Sequence, residues 1–375
     1  MTDIYLDYNA STPLDPKVAA TMRALLDSPF GNPSSRHWAS VSAKTILERA
    51  RGQIAAVLGA DPNEIVFTSG GSEANNMALK GTYFALCDKG DHIITQATEH
   101  PAVLKPLQFL KRLGANVTVL PVDRYGLVDP DAVRQAITPR TILITVMHAN
   151  NETGAIQPIE AISAVARDHG VPFHTDAAQS VGKIATRVDD LGVDLLTIAG
   201  HKLYAPKAIG ALYIRHGTPI EPLIHGAGHE NGRRAGTESV LLAAALGEAA
   251  ELAGDLEPQK RVRAMRDRFW LQLKTIFGNS IALNGPENGR LPNTLNVAFV
   301  SRVGADVLRE LEGVAASTGS ACHAGRVELS PVLAAMGVSE QVGMGAIRFS
   351  LGRGTTDVEI DTVIARLANV RSGSP

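Results

Sequence analysis

The sequence predicts an α/β fold: a mostly parallel, seven-stranded sheet with helices on both faces, followed by a smaller α+β unit. Three observations carry this reading. Between about residues 60 and 215, short apolar runs alternate with helical stretches. Each run ends in polar residues. After Leu256 the pattern changes to a charged helix and a few separated short strands.

The apolar runs, in order, are "EIVFTSG", "DHIITQA", "NVTVLPV", "TILITVMH", "VPFHTDA", "VDLLTIAG" and "GALYIR". Near-continuous apolar runs of this length suit strands buried on both faces. Ser72 to Leu86 and Ile159 to His169 read as covering helices. Beyond Leu256, "EPQKRVRAMRDRFWLQLKTIF" reads as a charged helix, and "TLNVAFV" and "AIRFSLG" as strands. The expected organisation is a large domain over residues 15–255 and a small one made of 1–14 with 256–375.

The bulk numbers exclude several classes. A chain of 375 residues with 45% apolar and 20% charged residues has the ordinary composition of a globular protein. A net charge of −2 argues against a general nucleic-acid surface. The longest apolar stretch, "VLLAAALGEAAELAG", is interrupted by Glu248 and Glu251 and reads as a core helix, not a membrane span. Two cysteines form no disulfide framework and suit a reducing compartment. "MTDIYLDYNAST" has no basic or apolar leader, so no export signal and a cytoplasmic location are expected.

In open parallel sheets, ligands sit beyond the carboxyl ends of the strands, so the polar residues there are the candidates for a site. In "TSGGSEANN", Gly71 and Ser72 open a helix; this is either a capped turn or a cradle of N–H groups for a phosphate. Asp176 in "HTDAAQS" is either a helix cap or the anion facing a protonated ring nitrogen. Lys202 follows a buried strand in "AGHK"; it either reaches water or, desolvated, is suited to Schiff-base chemistry. His201 caps the turn or donates to a phosphate. His100 in "ATEHPAV" is a cap, or an imidazole stacked on a flat ligand. Arg348 in "AIRFSLGR" pairs across an interface or binds a carboxylate. "HGAGHENGRRAGTES" is a surface loop, or one that reaches a neighbouring subunit's anion, with Thr237 capping the next helix and Arg234 adding charge. The histidines near it have no zinc spacing, so no metal site is expected. Cys322 lies in "AASTGSACHAGRVELSP" among small residues; it is a small core residue or an activated thiol. Cys87 is expected to be structural.

Taken together, these segments resemble the pyridoxal-phosphate-dependent cysteine desulfurases of the class V aminotransferase family, nearly end to end. The resemblance rests on "YLDYNASTPLDP", "FGNPSS", "EIVFTSGGSEANN", "TEHPAV", "NNETGAIQPI", "HTDAAQSVGKI", "GHKLYAPKAIGALYIR", "STGSACHAG" and "IRFSLGR". It implies the fold type I (aspartate-aminotransferase-like) architecture and the cofactor pyridoxal 5'-phosphate. It implies that Lys202 binds the cofactor aldehyde, Asp176 the pyridine nitrogen and Gln179 the ring hydroxyl, while His100 stacks on the ring. Gly71, Ser72 and His201 would hold the phosphate, with Thr237 arriving from a second subunit of a homodimer. Asn151 and Arg348 would bind the substrate carboxylate. Cys322 would take the sulfur of L-cysteine as a persulfide, leave L-alanine, and deliver the sulfur to an acceptor such as an iron–sulfur scaffold or a thiolation enzyme. A transient contact of Cys322 with a cluster on the scaffold is the one metal role considered. The glycines Gly319 and Gly325 around Cys322 suit a loop that moves between cofactor and acceptor.

Two features depart from the family. Ala199 stands where many members carry a serine, so one phosphate hydroxyl is lost. The chain also stops shortly after its last helix, so docking to a scaffold through a longer tail is not expected. The nearest alternative activity is a selenocysteine lyase. An alternative of another class is a non-catalytic sulfur-relay subunit, and an ordinary aminotransferase would leave the Cys322 loop without a role.

Overall fold

A computed structural model describes residues 3–27, 30–318, 320–323 and 326–372 of the chain. Strand β1 (Ile4–Tyr5) comes first, and seven strands then form the main sheet: β2 (Ile65–Thr68), β3 (His92–Gln96), β4 (Asn116–Leu120), β5 (Thr141–Thr145), β6 (Phe173–Asp176), β7 (Leu195–Ala199) and β8 (Gly210–Ile214). Their order across the sheet is β2-β8-β7-β6-β5-β3-β4. The pairs from β7 to β4 are parallel, whereas β8 runs antiparallel to both β7 and β2. The expected seven-stranded, mostly parallel sheet is therefore present.

Burial explains the apolar runs. Every residue of β2, β3, β5, β6, β7 and β8 is buried, whereas edge strand β4 is largely open. On one face, helix Trp38–Leu58 packs with helix Val240–Ala253, joining Leu47, Ile54 and Leu58 to Leu246 and Ala250. On the other, helix Gly71–Leu86 lays Leu79, Tyr83 and Leu86 against Val103, Leu107 and Leu110 of helix Pro101–Lys111. The spacing of 79, 83 and 86 keeps these side chains on one face of their helix. Cutting Leu79 to alanine would cost about 2–5 kcal/mol, because the fully enclosed site has little room to collapse.

A second core forms around a four-stranded antiparallel sheet. It contains β9 (Ile281–Leu283), β10 (Thr294–Phe299), β12 (Ser317–Thr318) and β15 (Ala346–Ser350), in the order β12-β15-β10-β9. Helices Glu257–Phe277 and Asp357–Ser372 cover it, with Phe269 set edge-on to Phe349 at 5.2 Å. The N-terminal segment joins this core: β1 pairs in parallel with β11 (Val314–Ala315), and Ile4 and Leu6 are buried within it. Past β12, β13 (Ser320–His323) and β14 (Arg326–Leu329) form an antiparallel hairpin, with Cys322 opposite Val327. Gly319 and Gly325, expected to loosen this region, lie outside the described residues, as do the side chains of 319–327. No helix among the described residues is long and apolar enough to cross a membrane.

Candidate active site

The carboxyl ends of β2, β3, β5, β6 and β7 open onto one cleft of about 610 Å³. Segment 9–11 and Arg348 of β15 close its other side. Gly71, Ser72, His100, Asn151, Asp176, Gln179, His201, Lys202 and Arg348, all singled out from the sequence, line this cleft.

One end is built from backbone. β2 runs into Ser69 and Gly70, and helix Gly71–Leu86 begins at once. Gly70 has φ of +144°, a conformation that glycine adopts without a Cβ clash. A Cβ on Gly71 would stand 3.1 Å from the Cβ of Ala199, so a small residue there keeps the helix start against the end of β7. The first-turn N–H groups and the helix dipole make this end of the cleft attractive to an anion. His201 lies beside it, its Nδ1 3.4 Å from Ser11 Oγ. Burial, then the charges of Lys202 and Lys207, lower its pKa to about 4, so the ring is neutral at pH 7.

Asp176, the last residue of β6, is 6% exposed. Its Oδ2 accepts from Asn75 Nδ2 at 2.7 Å and its Oδ1 from the Ala178 N–H at 3.0 Å. These two donors fix the carboxylate plane. Lys202 sits in the short 3₁₀ turn Gly200–Lys202 after β7. Its Nζ donates to the carbonyls of Asn9 at 2.5 Å and Ala10 at 2.8 Å. Burial, and then the Arg348 charge, lower its pKa to about 8 against the opposing pull of Asp7 and Asp176. A substantial fraction of the amine is therefore neutral near physiological pH, as a nucleophile or proton acceptor requires.

His100 caps helix Pro101–Lys111: its Nδ1 accepts from the Ala102 N–H at 3.1 Å. The neutral ring therefore carries its proton on Nε2. Burial pushes its pKa below the ordinary value, Asp176 pulls it up and Lys202 adds to the fall. Arg348, 8% exposed, donates from Nη1 to the Asn151 carbonyl at 3.0 Å and from Nη2 to Asp7 Oδ1 at 2.7 Å and Ser317 Oγ at 3.1 Å. Its Nε is buried without a partner. The sequence left open whether this arginine pairs internally or binds a carboxylate; here it has an internal partner and a spare donor.

Residues 4–363 match the Aminotransferase class-V family. The sequence is 48% identical over 373 residues to "Cysteine desulfurase IscS" of Dictyoglomus turgidum, covering 98% of this chain and 94% of that one. Among solved structures it is similar to a "NifS-like protein" (TM-score 0.92, 34% identity, 99% of this chain and 100% of that one). It is also similar to "SspA in complex with cysteine" (TM-score 0.84, 39% identity, 94% and 100%). The chain belongs to the cysteine desulfurases of the class V aminotransferase family.

Two expectations about the basic loop need correction. Thr237 does not cap the following helix: Ser239 is the N-cap residue of Val240–Ala253, without a side-chain hydrogen bond. Arg234 does not offer a free charge to a neighbour, because its Nε is bound to Glu73 Oε1 at 2.9 Å in the same chain. Glu73 also accepts from the Ser69 N–H at 2.7 Å, so the pair ties the basic loop to the start of the Gly71 helix. Thr237 itself is exposed and does not line the cleft. Cys87 is an exposed free thiol at a helix end, its Sγ donating to the Phe84 carbonyl at 3.4 Å, and is not a core residue.

In this desulfurase, sequence reasoning assigned no role to five residues in and behind the site, although Glu99 and His148 stood out as strand-end polar residues. Asn75 orients Asp176. Asn9 receives Lys202 and Gln179 on its backbone carbonyl, and the buried Lys183 donates to Gln179 Oε1. Glu99 is buried against the Met147 N–H, and His148 is buried with Nδ1 unpartnered, its pKa lowered by burial to about 4. The available signal was position: Asn75 is one turn into the helix that begins at Gly71, and Lys183 follows Gln179 by four residues.

Proposed function

We propose that the protein converts L-cysteine to L-alanine and carries the released sulfur as a persulfide on Cys322, with pyridoxal 5'-phosphate in the cleft. The observation that carries this reading is the convergence of Lys202, Asp176 and Arg348 on one cleft. A desolvated amine, a carboxylate held by two N–H donors and a guanidinium with a spare buried donor face the same space.

The cleft fits that cofactor chemically. The helix start at Gly71 and Ser72, with His201, suits a phosphate; Asp176 suits a protonated ring nitrogen; Gln179 suits a ring oxygen; and among the described residues no carboxylate is in ion-pair contact with Lys202. Bound there, pyridoxal phosphate supplies an electrophilic aldehyde and a sink for the electrons of the substrate α-carbon. Lys202 holds the group and afterwards moves a proton at the substrate Cα, which its lowered pKa allows. Asp176 keeps an anionic partner on the ring nitrogen. Arg348 and Asn151 hold the substrate carboxylate, and so fix which substituent of the α-carbon faces Lys202. His100, which lines the cleft and carries its neutral-ring proton on Nε2, would lie against the ring.

The Cys322 thiolate attacks the substrate sulfur. The Cβ–S bond breaks, an S–S bond forms, and the carbon takes the proton that completes alanine. The carbon is reduced as the sulfur is oxidised to the sulfane level, so no external oxidant enters. We further propose that residues 15–255 form one domain and residues 1–14 with 256–375 the other, carrying the Cys322 hairpin. The working protein is a homodimer in which Thr237 reaches the partner's phosphate end. The persulfide passes to a cytoplasmic acceptor protein.

The test is Cys322→Ser. The variant is expected to bind pyridoxal phosphate with an unchanged visible band, while alanine release falls by about two orders of magnitude or more. Undiminished alanine release would remove Cys322 from the reaction.

A further inference from the structure

Lys183 is a lysine in an uncommon place. It lies in the chain of turns after Asp176 and is 8% exposed. Among the described residues no carboxylate pairs with it, and the charged groups that bear on it, Lys202 and Arg348, are both cationic. Burial chiefly, then those two charges, push its pKa well below the ordinary lysine value. Such a group is costly unless its hydrogen bonds do something.

Its Nζ donates to Gln179 Oε1 at 2.8 Å and to Asn9 Oδ1 at 3.1 Å. Gln179 Nε2 in turn donates to the Asn9 carbonyl at 2.9 Å, the same oxygen that accepts from Lys202. Asn9 is held just as firmly: Asn293 Nδ2 reaches its Oδ1 at 2.9 Å, and its own Nδ2 donates to Thr294 Oγ1 at 2.8 Å and the Asn151 carbonyl at 3.1 Å. The two ends of an amide are told apart by such a network. Turned over, Gln179 would set its NH₂ against the amine of Lys183 and its oxygen against the carbonyl of Asn9. The second contact would be repulsive in every case, and the first as long as Lys183 is protonated.

We infer that Lys183 is a positioning residue that locks the amide of Gln179 so that it offers an N–H donor, and not a carbonyl oxygen, to the cleft. An oxygen-bearing ligand at that point, anionic or polarised, is then bound by donation. Protonated, Nζ has only donors to offer Gln179; the Asn9 carbonyl opposes the turned-over amide in either protonation state. The inference rests on the cofactor reading above, in which that oxygen is the ring hydroxyl oxygen of pyridoxal phosphate.

The full-length protein, loaded with pyridoxal phosphate, tests it through the visible band of the bound cofactor, the pH midpoint of that band and the cofactor Kd. K183M is expected to raise the midpoint by about one pH unit and to weaken binding roughly ten-fold, the size of one hydrogen bond to a charged acceptor. K183Q, whose amide can still donate to Gln179 Oε1, is expected to recover part of both. The double variant K183M/Q179A is expected to behave as Q179A alone, because Lys183 acts through Gln179. A K183M protein with the wild-type band, midpoint and Kd, whatever its thermal stability, overturns the inference, as do effects of K183M and Q179A that add. If K183M does not fold, Q179E decides: an oxygen in place of the donor must weaken binding at least as much as Q179A, and wild-type affinity in Q179E overturns the inference. A wild-type protein that takes up no pyridoxal phosphate sinks the cofactor reading and this inference with it, whereas an unaffected K183M beside a normal wild type sinks the inference alone.

Discussion

Replacing Glu99 by glutamine should make the protein more stable, by a margin that grows as pH rises from about 4.5 to about 8. Glu99 is completely enclosed. Its Oε1 accepts from the Met147 N–H at 2.6 Å and from Gln96 Nε2 at 3.2 Å, while Oε2 is buried without a partner. Burial pushes its carboxyl from 4.5 up to about 8; the Met147 N–H opposes the rise and the charge of Asp176 adds to it. At neutral pH the folded protein therefore holds a proton on Glu99 that the unfolded chain has lost. Folding takes up that proton, so the stability this group contributes is full below about pH 4.5 and falls as pH climbs through about 8. The span from 4.5 to about 8 corresponds to an upper limit of roughly 5 kcal/mol, at about 1.4 kcal/mol per pH unit. Glutamine keeps the acceptor for Met147 and Gln96 and has no such dependence. Denaturant unfolding of wild type and E99Q at steps from pH 5 to pH 9 should show curves that diverge by several kcal/mol, with E99Q the more stable at pH 9. Parallel curves would refute the assignment of the buried proton to Glu99.

Three further outcomes follow from the same geometry. Asn75→Ala removes the donor to Asp176 Oδ2 and should cost roughly 1.5–3 kcal/mol of whatever Asp176 holds, read as a ten- to hundred-fold weaker Kd for pyridoxal phosphate; a change below two-fold would show that Asp176 is oriented without it. The rate at which the cofactor-free protein takes up pyridoxal phosphate should rise with pH and level off above about 8, because only the unprotonated Lys202 amine attacks an aldehyde; stopped-flow absorbance gives the midpoint, and a value near 10.5 would mean that Lys202 is not desolvated. Light scattering of the loaded protein should give a dimer, and a monomer with full cofactor affinity would contradict the placement of Thr237 at a partner's cleft.

Much of the fold was legible because burial and period coincide. Runs such as Leu195–Ala199 are buried throughout and apolar but for Thr197, since both faces of those strands are covered. The antiparallel insertion of β8 between β2 and β7 was not legible, because residue order along the chain does not say which strands become neighbours. The cleft was readable for a topological reason: polar residues at strand ends share one edge of a parallel sheet. Asn9 and Lys183 escaped because their role depends on contacts distant in sequence. Asn9 meets Lys183, Asn293 and Thr294, and nothing local to "DYNAS" or "SVGKI" points to those partners. Arg234 misled for the converse reason: its charge looked free in the sequence because Glu73, its partner, is 161 residues away.

The measurement that bears most directly on the whole account is peptide mass mapping of the protein after pyridoxal phosphate, L-cysteine and, in a parallel sample, borohydride. The account predicts a reduced pyridoxyl adduct on Lys202 and the gain of one sulfur atom on Cys322. An adduct on a different lysine, or sulfur accumulating on Cys87 with Cys322 unmodified, would contradict it.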